Sequence, residues 1–164
     1  MKQRPFSARL RAKTLRICLG TLSVILASSV PALAELGGSL TSVYRDAEHT
    51  NGTMEVRNGH QYTIYEIKTS TGTMIREFVS PNGTVFGIAW EGGFVPEMKQ
   101  LLGAYFEQYS AAAQAATPKY LGRRPLNIRL PTLVFQTGGH MGWYYGRAYL
   151  PPSVPQEANM EEIH

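Results

Sequence analysis

Few side chains in this chain are equipped for chemistry, and their spacing decides what they can do. The four histidines are His49, His60, His140 and His164. No two stand in an HxH or HExxH spacing, so no zinc-type ligand set is expected. His49 closes a helical pattern and His60 follows a turn, both positions where solvated histidines are common. His140 differs: Gly138, Gly139 and Gly142 leave its ring accessible, with Trp143 close by. An imidazole becomes a general base once a carboxylate or hydroxyl orients it, and none stands near it in sequence. No GxSxG elbow occurs. No Gly-rich loop leads into a helix carrying Lys, so no nucleotide or other cofactor is implied. The single cysteine is Cys18. From residue 35 onward no thiol exists, which removes disulfides, Cys-ligated zinc and Cys nucleophiles together.

Carboxylates come next. Acid/base work by a pair needs both on one side, roughly 5 to 10 Å apart. Glu66 and Glu77 lie in neighbouring strand patterns, and the hairpin register expected between them sends them to opposite faces. Glu66 then pairs with Arg76 as a structural ion pair, and Glu77 reads as rim polarity beside Tyr65. The richest binding signal is the run Trp143, Tyr144, Tyr145, Arg147, Tyr149. Strand alternation puts Trp143, Tyr145, Arg147 and Tyr149 on one side. Three rings and a guanidinium make a stacking platform for a glycan, a peptide or a protein. The competing reading packs the same rings on a helix as core.

The 164-residue chain carries +4, but the charge is uneven. Residues 1–34 hold Lys2, Arg4, Arg9, Arg11, Lys13 and Arg16 and no acidic residue. The remainder carries ten basic and 12 acidic side chains, net −2. The leader has a basic head, an apolar run from Ile17 to Val30, and the triplet Ala32-Leu33-Ala34. That is the layout of a secretory signal peptide cut after Ala34. The run is too short for an ordinary span of about 20 residues, so no membrane span is expected after cleavage. No Arg-Arg pair precedes it, which favours the general secretory route. With the leader gone, the basic footprint of a nucleic-acid binder is gone as well.

The rest reads as one α+β domain over 35–150 with a flexible tail over 151–164. Leu40, Val43, Tyr44 and Ala47 at helical spacing predict a short N-terminal helix, capped by Ser39 or Thr41 and ended by Asn51-Gly52. Four strands follow as an antiparallel meander: Thr53–Arg57, Gln61–Thr69, Thr73–Ser80 and Thr84–Glu91. Asn58-Gly59 predicts a two-residue turn. Ser70-Thr71-Gly72 and Pro81-Asn82-Gly83 predict three-residue loops ending in a left-handed Gly. This register sets Glu66 opposite Arg76 and Arg76 opposite Ile88. One face then holds Ile64, Phe78, Phe86, Ile88, Trp90 and Met74. The other holds Tyr65, Ile67, Ile75, Val79, Val85, Gly87 and Ala89, with Glu77. Both are apolar enough to be covered, and Gly87 with Ala89 offers a low surface for a helix. After Pro96, Met98, Leu101, Leu102, Tyr105, Phe106 and Tyr109 mark one long amphipathic helix, stopped at Thr117-Pro118. A linker with Arg123-Arg124 leads to a C-terminal β-hairpin, Leu126 to Gln136 and Met141 to Leu150, kinked at Pro131 and turning at Gly138-Gly139.

Three segments carry a resemblance. The run GTMIREFVSPNGTVFGIAWEGGFVPEMKQLLGAYF, residues 72–106, resembles the core of an exported bacterial family known as domain of unknown function 2844. GGHMGWYYGRAYLP, residues 138–151, is similar to that family's C-terminal hairpin, and ELGGS, residues 35–39, to its start. The resemblance implies a small exported protein and brings no activity, substrate or catalytic residue. Residues and resemblance together favour a non-catalytic binding or accessory domain of the cell envelope, periplasmic or secreted. Its partner would be an envelope protein, peptide or glycan, met through Trp143, Tyr145, Arg147, Tyr149 and His140. The alternative is a small envelope hydrolase using His140. A third reading keeps the leader uncut as a tether.

Overall fold

In the computed structural model, residues 35–116, 125–158 and 163 are described. The leader with Cys18, the Thr117-Pro118 stop, the Arg123-Arg124 linker and His164 lie outside the described residues. The fold is α+β. Meander and C-terminal strands form one continuous seven-stranded antiparallel sheet, in which the four meander strands stand in chain order and the last three follow in reverse, the final strand beside the fourth.

The helix α1, Leu40–His49, begins at Ser39. Ser39 makes no side-chain cap; the Ser42 hydroxyl instead donates back to the Ser39 carbonyl. Asn51 takes a left-handed φ of 47° and ends the helix where Asn-Gly predicted. The strands β1 (Thr53–Asn58), β2 (Thr63–Lys68), β3 (Met74–Val79) and β4 (Val85–Gly92) follow. The first turn is longer than expected. Asn58 pairs with Thr63, so four residues intervene, and the Gly59 N–H donates to the Tyr62 carbonyl at 2.9 Å. The next two loops turn as read, with Gly72 at φ 84° and Gly83 at φ 82°.

Glu66 faces Arg76 across β2 and β3. Beyond that, the expected β3–β4 register is wrong by one residue. Val79 pairs with Val85, but Phe78 pairs with Gly87, and Arg76 therefore stands opposite Ala89 rather than Ile88. Phe86 is the extra residue of a bulge, which no turn signal announces. One added residue reverses every later side chain on the strand. Ile88 and Trp90 consequently join Tyr65, Ile67, Ile75, Val79 and Val85 in the main core, while Ala89 joins Ile64, Phe78 and Phe86 on the other face.

The predicted long helix is two helices. α2 spans Met98–Leu102 and α3 spans Phe106–Ala116, with a 3-10 turn at Gly103–Tyr105 between them. Gly103 has φ 47° and lies against Glu35, where a Cβ would stand 2.1 Å from the Glu35 Cβ. The apolar period continues through the break, which is why it reads as a single helix. The strands β5 (Leu126–Arg129), β6 (Val134–His140) and β7 (Trp143–Tyr149) complete the sheet, so the expected hairpin is a three-stranded unit. It turns at Met141-Gly142, with Gly142 at φ 86°, and Gly138 and Gly139 lie within β6.

Val43 of α1 and Leu101 and Leu102 of α2 pack on the main core together with Phe135, Ala148 and Leu150. The second face is covered by the C-terminal segment instead of a helix. Ile163, in the stretch expected to hang loose, is 1% exposed and packs with Tyr62, Ile64, Phe78 and Phe86. A Cβ on Gly87 would stand 3.3 Å from the Ile163 Cδ1. The low surface is real, and a tail occupies it. Leu36 and Gly37 tie the start of the domain to α2 and β4 through the Leu101 and Val85 carbonyls. No helix among the described residues is long and apolar enough to cross a membrane.

Candidate functional site

Two antiparallel strands joined by a two-residue turn carry the aromatic run. His140 pairs with Trp143, Gly138 with Tyr145 and Gln136 with Arg147. Gly146 and Ala148 point into the core, and a Cβ on Gly146 would lie 2.3 Å from the Trp90 ring. The alternate residues therefore face away from the helices, as alternation predicts. Trp143 is 46% and Tyr145 54% exposed. The Tyr145 ring lies across Gly138, where a Cβ would meet its hydroxyl at 2.7 Å. Met141, at the turn, is 92% exposed. A hollow of ≈ 340 Å³ is lined by Trp90, Glu91, Gln136, Thr137, Tyr145, Gly146 and Arg147.

The four platform residues divide in two. Trp143 and Tyr145 present their rings to solvent. Arg147 is tied inward: its Nε donates to Gln136 Oε1 at 2.7 Å and its Nη1 to the Ile163 carbonyl at 3.0 Å. Tyr149 packs half-buried against the second apolar cluster. Arg147 and Tyr149 thus anchor the tail, which leaves the two outer rings as the exposed part of this face.

His140 ends β6 beside Trp143, with its Nδ1 3.0 Å from the Met141 carbonyl. Among the described residues no carboxylate or hydroxyl bonds to it, and it does not line the hollow. The Met141 carbonyl can hold the ring's orientation, but no carboxylate is there to stabilise an imidazolium formed during proton transfer. The arrangement supplies no acid–base pair at His140.

The expected ion pair is part of a larger network. Arg76 Nε donates to Glu66 Oε1 at 3.0 Å, Arg76 Nη2 donates to Glu91 Oε1 at 2.7 Å, and Arg57 Nε lies 3.4 Å from Glu66 Oε2. Partial burial alone would lower the Arg76 pKa, but the Glu91 and Glu66 carboxylates raise it above the ordinary value. Glu91 escaped the sequence reading because the missed bulge turns it onto this face.

Sequence reasoning also missed a pair on the opposite face. Glu77, expected at a rim, is fully buried, as is Asp46 of α1. Gln100 of α2 donates to Asp46 Oδ1 at 2.6 Å. Burial, and then the Asp46 charge, hold the Glu77 pKa well above the usual carboxylate range. Burial also raises Asp46, against lowering by the Gln100 and Glu77 hydrogen bonds and by His49. Glu77 could have been found from its row: its strand-face neighbours Tyr65, Ile75, Val79 and Val85 are all apolar. Among the described residues no three His, Cys, Asp or Glu side chains converge on a metal-sized site.

These features define a small α+β protein in which one antiparallel sheet carries helices on one face and a tail on the other, with an exposed aromatic hairpin near its end. Residues 32–163 match the family described as protein of unknown function (DUF2844), and the chain belongs to that family. The match spans all three segments that carried the resemblance. Comparison with the curated proteins and with the solved structures returns no match.

Proposed function

We propose that this is an exported, non-catalytic binding or accessory domain of the bacterial cell envelope, periplasmic or secreted, which meets an envelope protein, peptide or glycan through the β6–β7 hairpin. The observation that carries the reading is the exposure of Trp143 and Tyr145, 46% and 54%, on a strand whose alternate residues are core. Large rings held on a rigid strand present contact area with little conformational freedom left to lose on docking. The leader over residues 1–34 supports export, and a thiol-free mature chain suits an oxidising compartment. His140 stands at the rim of this surface as a polar neighbour of Trp143.

Binding is tested by placing a photo-crosslinking residue at position 143 in living cells, with a second protein carrying it at Glu107, an exposed position on α3. A discrete adduct from position 143 that is missing from position 107 supports the reading. Identical patterns from both sink it. Trp143→Ala with Tyr145→Ala should then abolish binding of the identified partner while leaving the cooperative melt in place. Loss of that melt would make the rings core. Export has its own readout: the mass of the native protein should correspond to a chain beginning at Glu35.

A further inference from the structure

We propose that Asp46 and Glu77 form a proton-operated latch, which docks α1 onto the sheet while the pair holds a proton and loosens α1 once that proton is lost. The inference is independent of the hairpin and of what binds there. Asp46 is 1% and Glu77 0% exposed, and they meet in the seam between α1 and β3. Gln100 closes the seam from α2. Across the sheet, Glu77 faces Tyr65 on β2 and Ile88 on β4, and Tyr44 of α1 stacks edge-on against Tyr65. His49, in the last turn of α1, is the basic residue whose charge, when present, opposes the rise of the Asp46 pKa. Among the described residues no Lys or Arg forms an ion pair with either carboxyl.

The oxygens decide how the pair must be held. Asp46 Oδ1 accepts from Gln100, while Asp46 Oδ2 and both Glu77 oxygens have no donor if both groups are ionised. Two adjacent carboxylates this deep repel each other and forgo their hydration. One proton on Glu77 ends the repulsion and relieves most of the lost hydration, because Glu77 then donates to Asp46. With one proton present the two carboxyls bond to each other and only one Glu77 oxygen lacks a donor; without it three oxygens lack one and the charges repel. β3 cannot yield, being paired on both sides by β2 and β4. α1 is ten residues long and lies on the surface of the sheet, so it is the element that moves to hydrate the pair.

The sign follows from proton counting. The folded chain keeps a proton at pH values where the unfolded chain has released it. Stability is therefore greatest in acid and falls as pH rises above the ordinary carboxylate range, until the folded pair itself ionises. For one proton, the opening constant grows by up to about tenfold per pH unit across that window.

Amide hydrogen exchange between pH 5 and pH 9, corrected for intrinsic exchange, tests the latch. Protection of α1 amides should fall at least tenfold relative to β6 and β7 in the natural protein. Glu77→Gln, whose amide still donates to Asp46 and has no proton to lose, should keep α1 protected throughout. PH-independent protection of α1 in the natural protein, or the same fall in Glu77→Gln, overturns the proposal. If Glu77→Gln does not fold, carboxyl-carbon NMR of the natural protein decides. Glu77 should ionise well above the ordinary glutamate range, and an ordinary titration overturns the latch.

Discussion

Arg76 shows how one side chain can organise a polar strip on an otherwise apolar face. Its guanidinium bridges Glu66 and Glu91 from the strand between them, and its side chain is only 20% exposed. Half-buried, charge-assisted hydrogen bonds weigh more than surface pairs, because removing one partner leaves the others poorly solvated. Arg76→Met keeps the aliphatic stem and removes the donors. We expect it to cost about 1–3 kcal/mol, read as a lower urea midpoint with an unchanged slope. Arg57→Ala, which removes a side chain that is itself 60% exposed, should cost under about 1 kcal/mol. Equal effects from the two variants would show that Arg76 is no better placed than a surface charge.

At the scale of elements, the sheet was more legible than its joins. Turn chemistry at Gly72 and Gly83 and the Glu66–Arg76 pairing were readable because loop length sets register locally. The bulge at Phe86 was not readable. It is an extra residue in an unbroken apolar strand, and either register buries something apolar. Reading through it misplaced Ile88, Trp90 and Glu91 together. The helix break at Gly103 was hidden in the same way, by an apolar period that runs across it. The aromatic platform was legible in part: alternation placed its four residues on one face, but nothing local disclosed that a tail would engage Arg147 and Tyr149. Close packing of elements gives a direct check. Gly146 is the floor on which the Trp90 ring rests, and any Cβ there would lie 2.3 Å from Trp90 Cζ2. Gly146→Ala must push the indole or the strand, and overpacking of this kind costs about 1–3 kcal/mol. A lower melting temperature should therefore come with a changed Trp90 near-ultraviolet signal. An unaltered signal and melt would mean that the ring has room to shift.

For the molecule as a whole, the decisive feature is that its sheet is a middle layer. The helices cover one face, and the segment after β7 covers much of the other through Val154, Ala158 and Ile163. The tail is also held by polar contacts at both ends of its path. Gln61 Nε2 donates to Glu157 Oε2 at 2.7 Å, and Arg147 donates to the Ile163 carbonyl at 3.0 Å. No cysteine lies in residues 35–164, so such closure comes from packing and these hydrogen bonds, and Ile163 is the tail's most buried apolar contact among the described residues. Removing a buried Ile side chain from a rigid interior costs about 2–5 kcal/mol. Ile163 is 1% exposed, so Ile163→Ala should cost about 2–5 kcal/mol. Hydrogen exchange should locate the effect in β2, β3 and the first half of β4, around Tyr62, Phe78 and Phe86, with α1 and α2 unaffected. A variant as stable as the natural protein, with no change in exchange at those strands, would show that the tail only rests on the sheet, and that the second face is closed by the Tyr62, Phe78 and Phe86 rings themselves.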